Sequence, residues 1–164
     1  MTNALPSIEI RAMAHADFED VRRIYAAGIA TRDATFETEV PTAEVLDEKW
    51  IVGQRWVITL DGQVRGWAAM TPTSSRDCYR GVAETSIYID LDTAGRGLGT
   101  RLLAHQIEAA TASGFWTLQT SIFPENHASL ALHRKGGFRE VGRRERIAQF
   151  DGVWRDTILL ERRS

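Results

Sequence analysis

The alternation of apolar and polar positions divides the chain into short strands and helices. Ile8 and Ile10 alternate with polar neighbours, which predicts a first strand; Val21, Ile24, Tyr25 and Gly28 follow at helical spacing behind Asp17, a candidate cap. Thr42 is placed to cap a second helix through Leu46 and Trp50. Residues 56–60 and 64–70 flank Asp61-Gly62, a hairpin signal. Beyond the polar stretch 71–80, residues 82–89 read as a strand, 98–112 as a helix ending at Gly114, and 116–123 as another strand, which makes a strand-helix-strand crossover. A short helix from about 126 to 135 stops at Gly136-Gly137, and two final strands surround the Asp151-Gly152 turn. The sum is an α/β fold, a mixed sheet with helices on its faces.

Composition narrows what such a fold does. A chain of 164 residues is the size of one domain, so residues 1–164 are expected to form a single unit. With a net charge of -2 and 26% charged residues, no general basic surface points to nucleic acid, and any anion site must come from local charge. Cys78 is the only cysteine, which suits a reducing compartment and makes the cytoplasm the expectation. No basic start precedes a long apolar run and no stretch of 18 apolar residues occurs, so neither secretion nor membrane insertion is expected.

The chemistry is concentrated where strand 82–89 gives way to helix 98–112. Gly95, Gly97 and Gly99 let backbone N–H groups converge on an oxyanion, and the first helical turn, through Leu98 and Thr100, adds unpaired donors and a partial positive charge. A diphosphate fits there, with Arg96 and Arg101 as direct charge; a tight turn with solvated arginines is the plain alternative. Two other phosphate motifs fail on the same letters. No Gly-Lys-Ser/Thr is present, and Thr100 stands where a dinucleotide fingerprint needs its third glycine.

The run Ala94-Gly95-Arg96-Gly97-Leu98-Gly99 resembles the acyl-CoA motif of the GCN5-related N-acetyltransferase superfamily, with Ala94 in place of its usual Gln or Arg. The segment from Asn126 through Ser129 and His133 to Gly137-Phe138 is similar to that superfamily's second cofactor segment. A wider likeness, carried by Thr35-Phe36-Glu37, Tyr79-Arg80, the strand from Glu84 to Ile89 and Gly152-Val153-Trp154-Arg155-Asp156, is to its phosphinothricin and methionine sulfoximine N-acetyltransferase branch. The resemblance implies a mixed, mostly antiparallel sheet flanked by helices, acetyl-CoA as cosubstrate, a small amino-acid analogue as the amine, and a homodimer built through the C-terminal elements around Trp154; the histidines outside these motifs form no plausible metal set, so no metal is expected.

Acetyl transfer to an amine needs a base for the ammonium, stabilisation of the oxyanion and a proton for the thiolate. The resemblance gives the first role to Glu84, directly or through water; pairing with Arg80 is the structural alternative. It implies that the strand at Ser86, Ile87, Tyr88 and Ile89 is splayed from its neighbour so that the pantetheine arm pairs with its backbone, with N–H groups near Tyr88 and Ile89 on the thioester carbonyl. Asn126 and Ser129 then serve the pantetheine, Asn126 also as a helix cap. His133 stands where many relatives carry a tyrosine that protonates the thiolate, and a solvent-facing histidine is the alternative. Phe36, Glu37, Arg80, Thr85 and Ser86 are the implied acceptor contacts, while Arg76 reads as solvated. Two other functions fit the same motif: acetylation of a polyamine, amino sugar or protein N-terminus, and CoA sensing without catalysis.

Overall fold

The computed structural model describes residues 4–164. The described residues form seven strands and four α-helices. Strand β1 (Ile8–Ala12) leads to α1 (Phe18–Ala30), then α2 (Ala43–Lys49), β2 (Arg55–Leu60), β3 (Gln63–Pro72), β4 (Val82–Ile89), α3 (Leu98–Ala112), β5 (Thr117–Ile122), α4 (His127–Lys135), β6 (Arg139–Phe150) and β7 (Val153–Arg163). The strands form one sheet in the order β1-β2-β3-β4-β5-β7-β6. Every neighbouring pair is antiparallel except β4 with β5, the pair joined by the α3 crossover. The expected mixed, mostly antiparallel sheet is present.

The period-two pattern of β3 sends side chains to two separate cores. Trp67 and Ala69 pack with Val21, Ile24 and Tyr25 of α1 and Leu46 of α2 on one face. Ala68 joins Leu98 and Leu102 of α3 on the other, where Met70 continues into a larger cluster with Leu103, Leu118 and Leu160. Thr42 caps α2 as its position predicts, its Oγ1 accepting from the Val45 amide. Asp17 does something else. Its carboxylate accepts from the Arg11 guanidinium at 2.7 and 2.9 Å and from the Ala14 amide at 2.7 Å, and makes no bond to the amides of α1. The cap residue therefore ties the helix start to β1. Among the described residues no helix is long and apolar enough to cross a membrane.

Candidate active site

The sheet opens where its one parallel pair stops. Strands β4 and β5 are registered only from Val82 opposite Thr117 to Glu84 opposite Gln119, and beyond that rung they part. A cavity of about 1030 Å³ fills the fork, bounded by β4 from Glu84 to Ile89 and by β5 and its continuation from Thr120 to Phe123. The expected splay is present, and Glu84 stands on its last closed rung.

Hydrogen bonds at both ends of β4 fix which of its peptide groups face the fork. The Gly81 carbonyl accepts from the Trp116 and Thr117 amides on the β5 side, whereas the Asp90 amide donates to the Arg65 carbonyl on the β3 side. Because successive peptide groups of a strand point to opposite sides, those of Thr85, Ile87 and Ile89 are turned to the cavity and those of Ser86 and Tyr88 to β3. Buried peptide groups need partners, and an extended amide-bearing arm laid along β4 supplies them as an added strand would. Of the two N–H groups named for the thioester, that of Ile89 faces the cavity and that of Tyr88 faces β3; the Ile87 N–H faces the cavity as well. The Tyr88 side chain remains in the wall, stacked on Trp67 at 4.8 Å and tilted against Tyr25 at 4.9 Å.

At the far end of β4 the chain turns into α3. Gly95 and Gly97 have φ of +79° and +77°, and nothing lies within 4 Å of a Cβ built on either, so the concave side of the turn is open. Gly97 caps α3, and the first intrahelical bond runs from the Arg101 amide to the Gly97 carbonyl, which leaves the Leu98, Gly99 and Thr100 amides unpaired within the helix. No acidic residue sits in that first turn. Gly95, Gly97, Leu98, Gly99 and Thr100 all line the cavity; Arg96 is exposed and stays outside its wall. Behind the turn, a clamp that sequence reasoning missed holds the end of β4. The Asp90 carboxylate accepts from Arg23 at 3.0 Å, Arg65 at 3.1 Å and the Asp92 amide at 3.2 Å. Burial pushes its pKa up, and these partners outweigh burial to leave it below the usual aspartate value.

The opposite wall is α4 and the loop after α1. The Asn126 Oδ1 caps α4 by accepting from the Ser129 amide at 3.2 Å, while its Nδ2 donates to the Asp33 carbonyl at 3.1 Å, so this side chain ties α4 to that loop. His133 is 2% exposed, contrary to a solvent-facing reading, and packs edge-on to Phe138. Its Nδ1 lies 2.8 Å from the Ser129 carbonyl oxygen. A carbonyl only accepts, so Nδ1 carries the hydrogen and Nε2, buried without a partner among the described residues, keeps its lone pair. Burial lowers the His133 pKa, with the Ser129 bond acting weakly the other way. Neutral imidazole with an acceptor Nε2 is the resting form.

Phe36 and Glu37 line the cavity as expected, Phe36 standing edge-on to Phe123 at 4.8 Å. Thr35 approaches the Tyr25 and Tyr88 hydroxyls; burial, with Glu37 nearby, pushes Tyr25 up to about 12, and burial pushes Tyr88 up further. Thr85 and Ser86 belong to the same wall. Glu84 is exposed to the cavity and is not paired with Arg80. Arg80 instead bonds Asp77 at 3.4 Å and lies over the Trp116 ring, outside the cavity wall. The sequence-based role of Arg80 at the acceptor therefore has no support in its placement. Lys49, from the end of α2, is in the wall and was not anticipated.

An acetyltransferase (GNAT) domain model matches residues 10–159. The chain belongs to the GNAT acetyltransferase family. As such it is an acyl-CoA-dependent N-acetyltransferase. Over 159 residues it is 36% identical to YwnH of Bacillus subtilis (strain 168), provisionally named a phosphinothricin acetyltransferase, covering 93% of this chain and 97% of that one. A Pseudomonas paraeruginosa protein named L-methionine sulfoximine/L-methionine sulfone acetyltransferase is 31% identical, with 94% of each chain covered. Among solved structures, a GNAT superfamily phosphinothricin acetyltransferase from Sinorhizobium meliloti in complex with acetyl-CoA superimposes with a TM-score of 0.86 at 29% identity, covering 95% of this GNAT chain and 88% of the other.

Proposed function

We propose that this GNAT protein transfers the acetyl group of acetyl-CoA to the α-amine of a small amino-acid analogue of the phosphinothricin, methionine sulfoximine or methionine sulfone type. The observation that carries the reading is the parting of β4 from β5 immediately past Glu84, which leaves a free strand edge running from a carboxylate to an open glycine turn. In this reading the diphosphate lies on the turn at residues 95–100 and the pantetheine arm along Ile87 and Ile89. Glu84 takes the ammonium proton directly or through water, and the freed amine attacks the thioester carbon. The oxygen, now anionic, is held by cavity-facing β4 amides. As the carbon–sulfur bond breaks, the second proton on nitrogen passes to His133 Nε2 and from there to the thiolate, a route that suits an imidazole resting as an acceptor. The exposed Cys78 thiol suits a reducing compartment, and we place the enzyme in the cytoplasm.

The test is Glu84→Gln, which keeps shape and removes the basic carboxylate. Acetyl-CoA affinity persists while turnover near neutrality falls by roughly 10²- to 10⁴-fold, and the loss shrinks at high pH where the amine deprotonates in solution. Turnover at the parental rate near neutrality excludes Glu84 as the base. Running the parental protein against the amino-acid analogues, a polyamine, an amino sugar and a peptide N-terminus fixes the acceptor class; acetyl-CoA binding with no turnover on any amine overturns the catalytic reading.

A further inference from the structure

An amino-acid acceptor brings an acid group as well as an amine, and the cavity has little with which to hold it. Its carboxylates are several: Glu37 and Glu84 have no ion-pair partner among the described residues, and Asp33 and Glu125 are both bound by Arg155, at 3.3 and 3.1 Å. Of all lysines and arginines, Lys49 alone lines the wall, and among the described residues no carboxylate pairs with it. Its place is set by packing. Trp50, the next residue, is 4% exposed and packs against Trp67 at 4.7 Å, which in turn stacks on Tyr88. Ile51 then donates to the Met70 carbonyl at 2.9 Å. Met70 and Thr71 are registered with Thr85 and Glu84, and the Met70 carbonyl faces the β2 side, so the end of α2 is pinned across β3 at the level of the Glu84 end of β4. The diphosphate turn begins beyond Ile89, five residues or roughly 17 Å along the strand. Lys49 is therefore at the acceptor end of the cavity and remote from the cofactor's phosphates.

We propose that Lys49 binds the carboxylate of the acceptor and so sets the preference of this enzyme for amino acids over simple amines. The ammonium end of the acceptor faces Glu84, the carboxylate faces the Lys49 ammonium, and the two ends of the zwitterion are read by opposite charges in the wall of one cavity. An anion leaving water for the cavity needs such a charged donor. The proposal rests on the amino-acid reading above.

The experiment compares an acid with its own carboxamide. Acetyl-CoA-dependent thiol release is measured for methionine sulfone and methionine sulfone carboxamide with the parental protein, Lys49→Met and Lys49→Arg, and the acetyl-CoA thermal shift serves as the folding control. The ratio of kcat/KM for acid over carboxamide falls by about 10- to 100-fold in Lys49→Met, the size of a lost hydrogen bond to a charged group, and is largely restored in Lys49→Arg. The loss appears in KM for the acid. An unchanged ratio in Lys49→Met, whatever the absolute rates, overturns the assignment while leaving the amino-acid reading intact. A parental protein that acetylates neither compound but does acetylate a polyamine or peptide overturns both, and its own rates distinguish that result from the first.

Discussion

Gly97 and Gly99 stand two residues apart in one motif and are glycine for different reasons. Gly97 has a left-handed φ of +77° with open space around it, so any side chain there is strained and occupies the concave face that the diphosphate requires. Gly99 has an ordinary helical φ, and a Cβ on it lies 3.4 Å from Leu132 and 3.6 Å from Ile89, a contact between α3, α4 and β4. Gly97→Val is expected to abolish the acetyl-CoA thermal shift and to cost about 1–2 kcal/mol of stability from the backbone alone. Gly99→Ala keeps most of the shift. Calorimetric titration of both variants with acetyl-CoA checks this, and parental affinity in Gly97→Val removes the turn as the phosphate site. The spacing of these glycines was legible in the sequence, whereas their separate causes depend on a torsion angle and a neighbouring helix. The same holds for His133 and Lys49. A histidine amid Leu132, Arg134 and Lys135 reads as exposed until Phe138 folds back onto it, and a lysine in a polar helix reads as solvated until Trp50 anchors that helix on Trp67 and its end joins the cavity wall.

At the scale of elements, the alternation of β4 and the amphipathic face of α3 predicted both elements with their observed bounds, Val82–Ile89 and Leu98–Ala112, because burial on a sheet and on a helix imposes different periods. The fork between β4 and β5 came from the family resemblance, since nothing in the letters of either strand says where pairing ends. The joint at the top of β4 was illegible for a similar reason: Asp90 meets Arg23 of α1 and Arg65 of β3 across long stretches of chain. This joint aims the glycine turn. Asp90→Asn removes the charge that both guanidinium groups converge on and is expected to cost about 1–3 kcal/mol, with weaker acetyl-CoA binding. The pH dependence has a definite sign. The folded Asp90 pKa is depressed, so its contribution is complete above the unfolded aspartate value of about 3.9 and is lost as pH falls through the lower folded value. The stability difference between parent and Asp90→Asn in urea titrations is therefore constant near neutrality and closes in acid. A difference that persists unchanged below pH 3 shows that the ion pairs are not its source.

Among the described residues the sheet has two free edges, the short β1 and the much longer β6. Strand β6 lies outermost beyond β7, and along it only Phe150 is buried. Val141 and Ile147 of β6 and Val153 and Trp154 of β7 are 45–62% exposed on this hairpin. Long edge strands carrying exposed apolar side chains invite pairing with another chain, and proteins that remain monomers usually blunt them. The arginines Arg143, Arg144 and Arg146 do so only in part, since Arg143 is neutralised by Asp156 and Arg146 lies over the Trp154 ring. We infer that a second copy covers this hairpin. The consequence reaches the site, because the hairpin also holds the rim of the cavity: Arg155 of β7 donates to the Arg32 carbonyl and pairs with Asp33 and Glu125, while Asp151 at the hairpin turn pairs with Arg32. Light scattering at micromolar concentration is expected to give twice the chain mass for the parent. Trp154→Glu, which places a charge on the apolar patch, is expected to give the single-chain mass and to raise KM for the acceptor more than for acetyl-CoA, since the loop that Arg155 braces carries Phe36 and Glu37. A parental protein that scatters as a single chain overturns the dimer; a Trp154→Glu monomer with parental KM values leaves the dimer standing and severs it from the acceptor site.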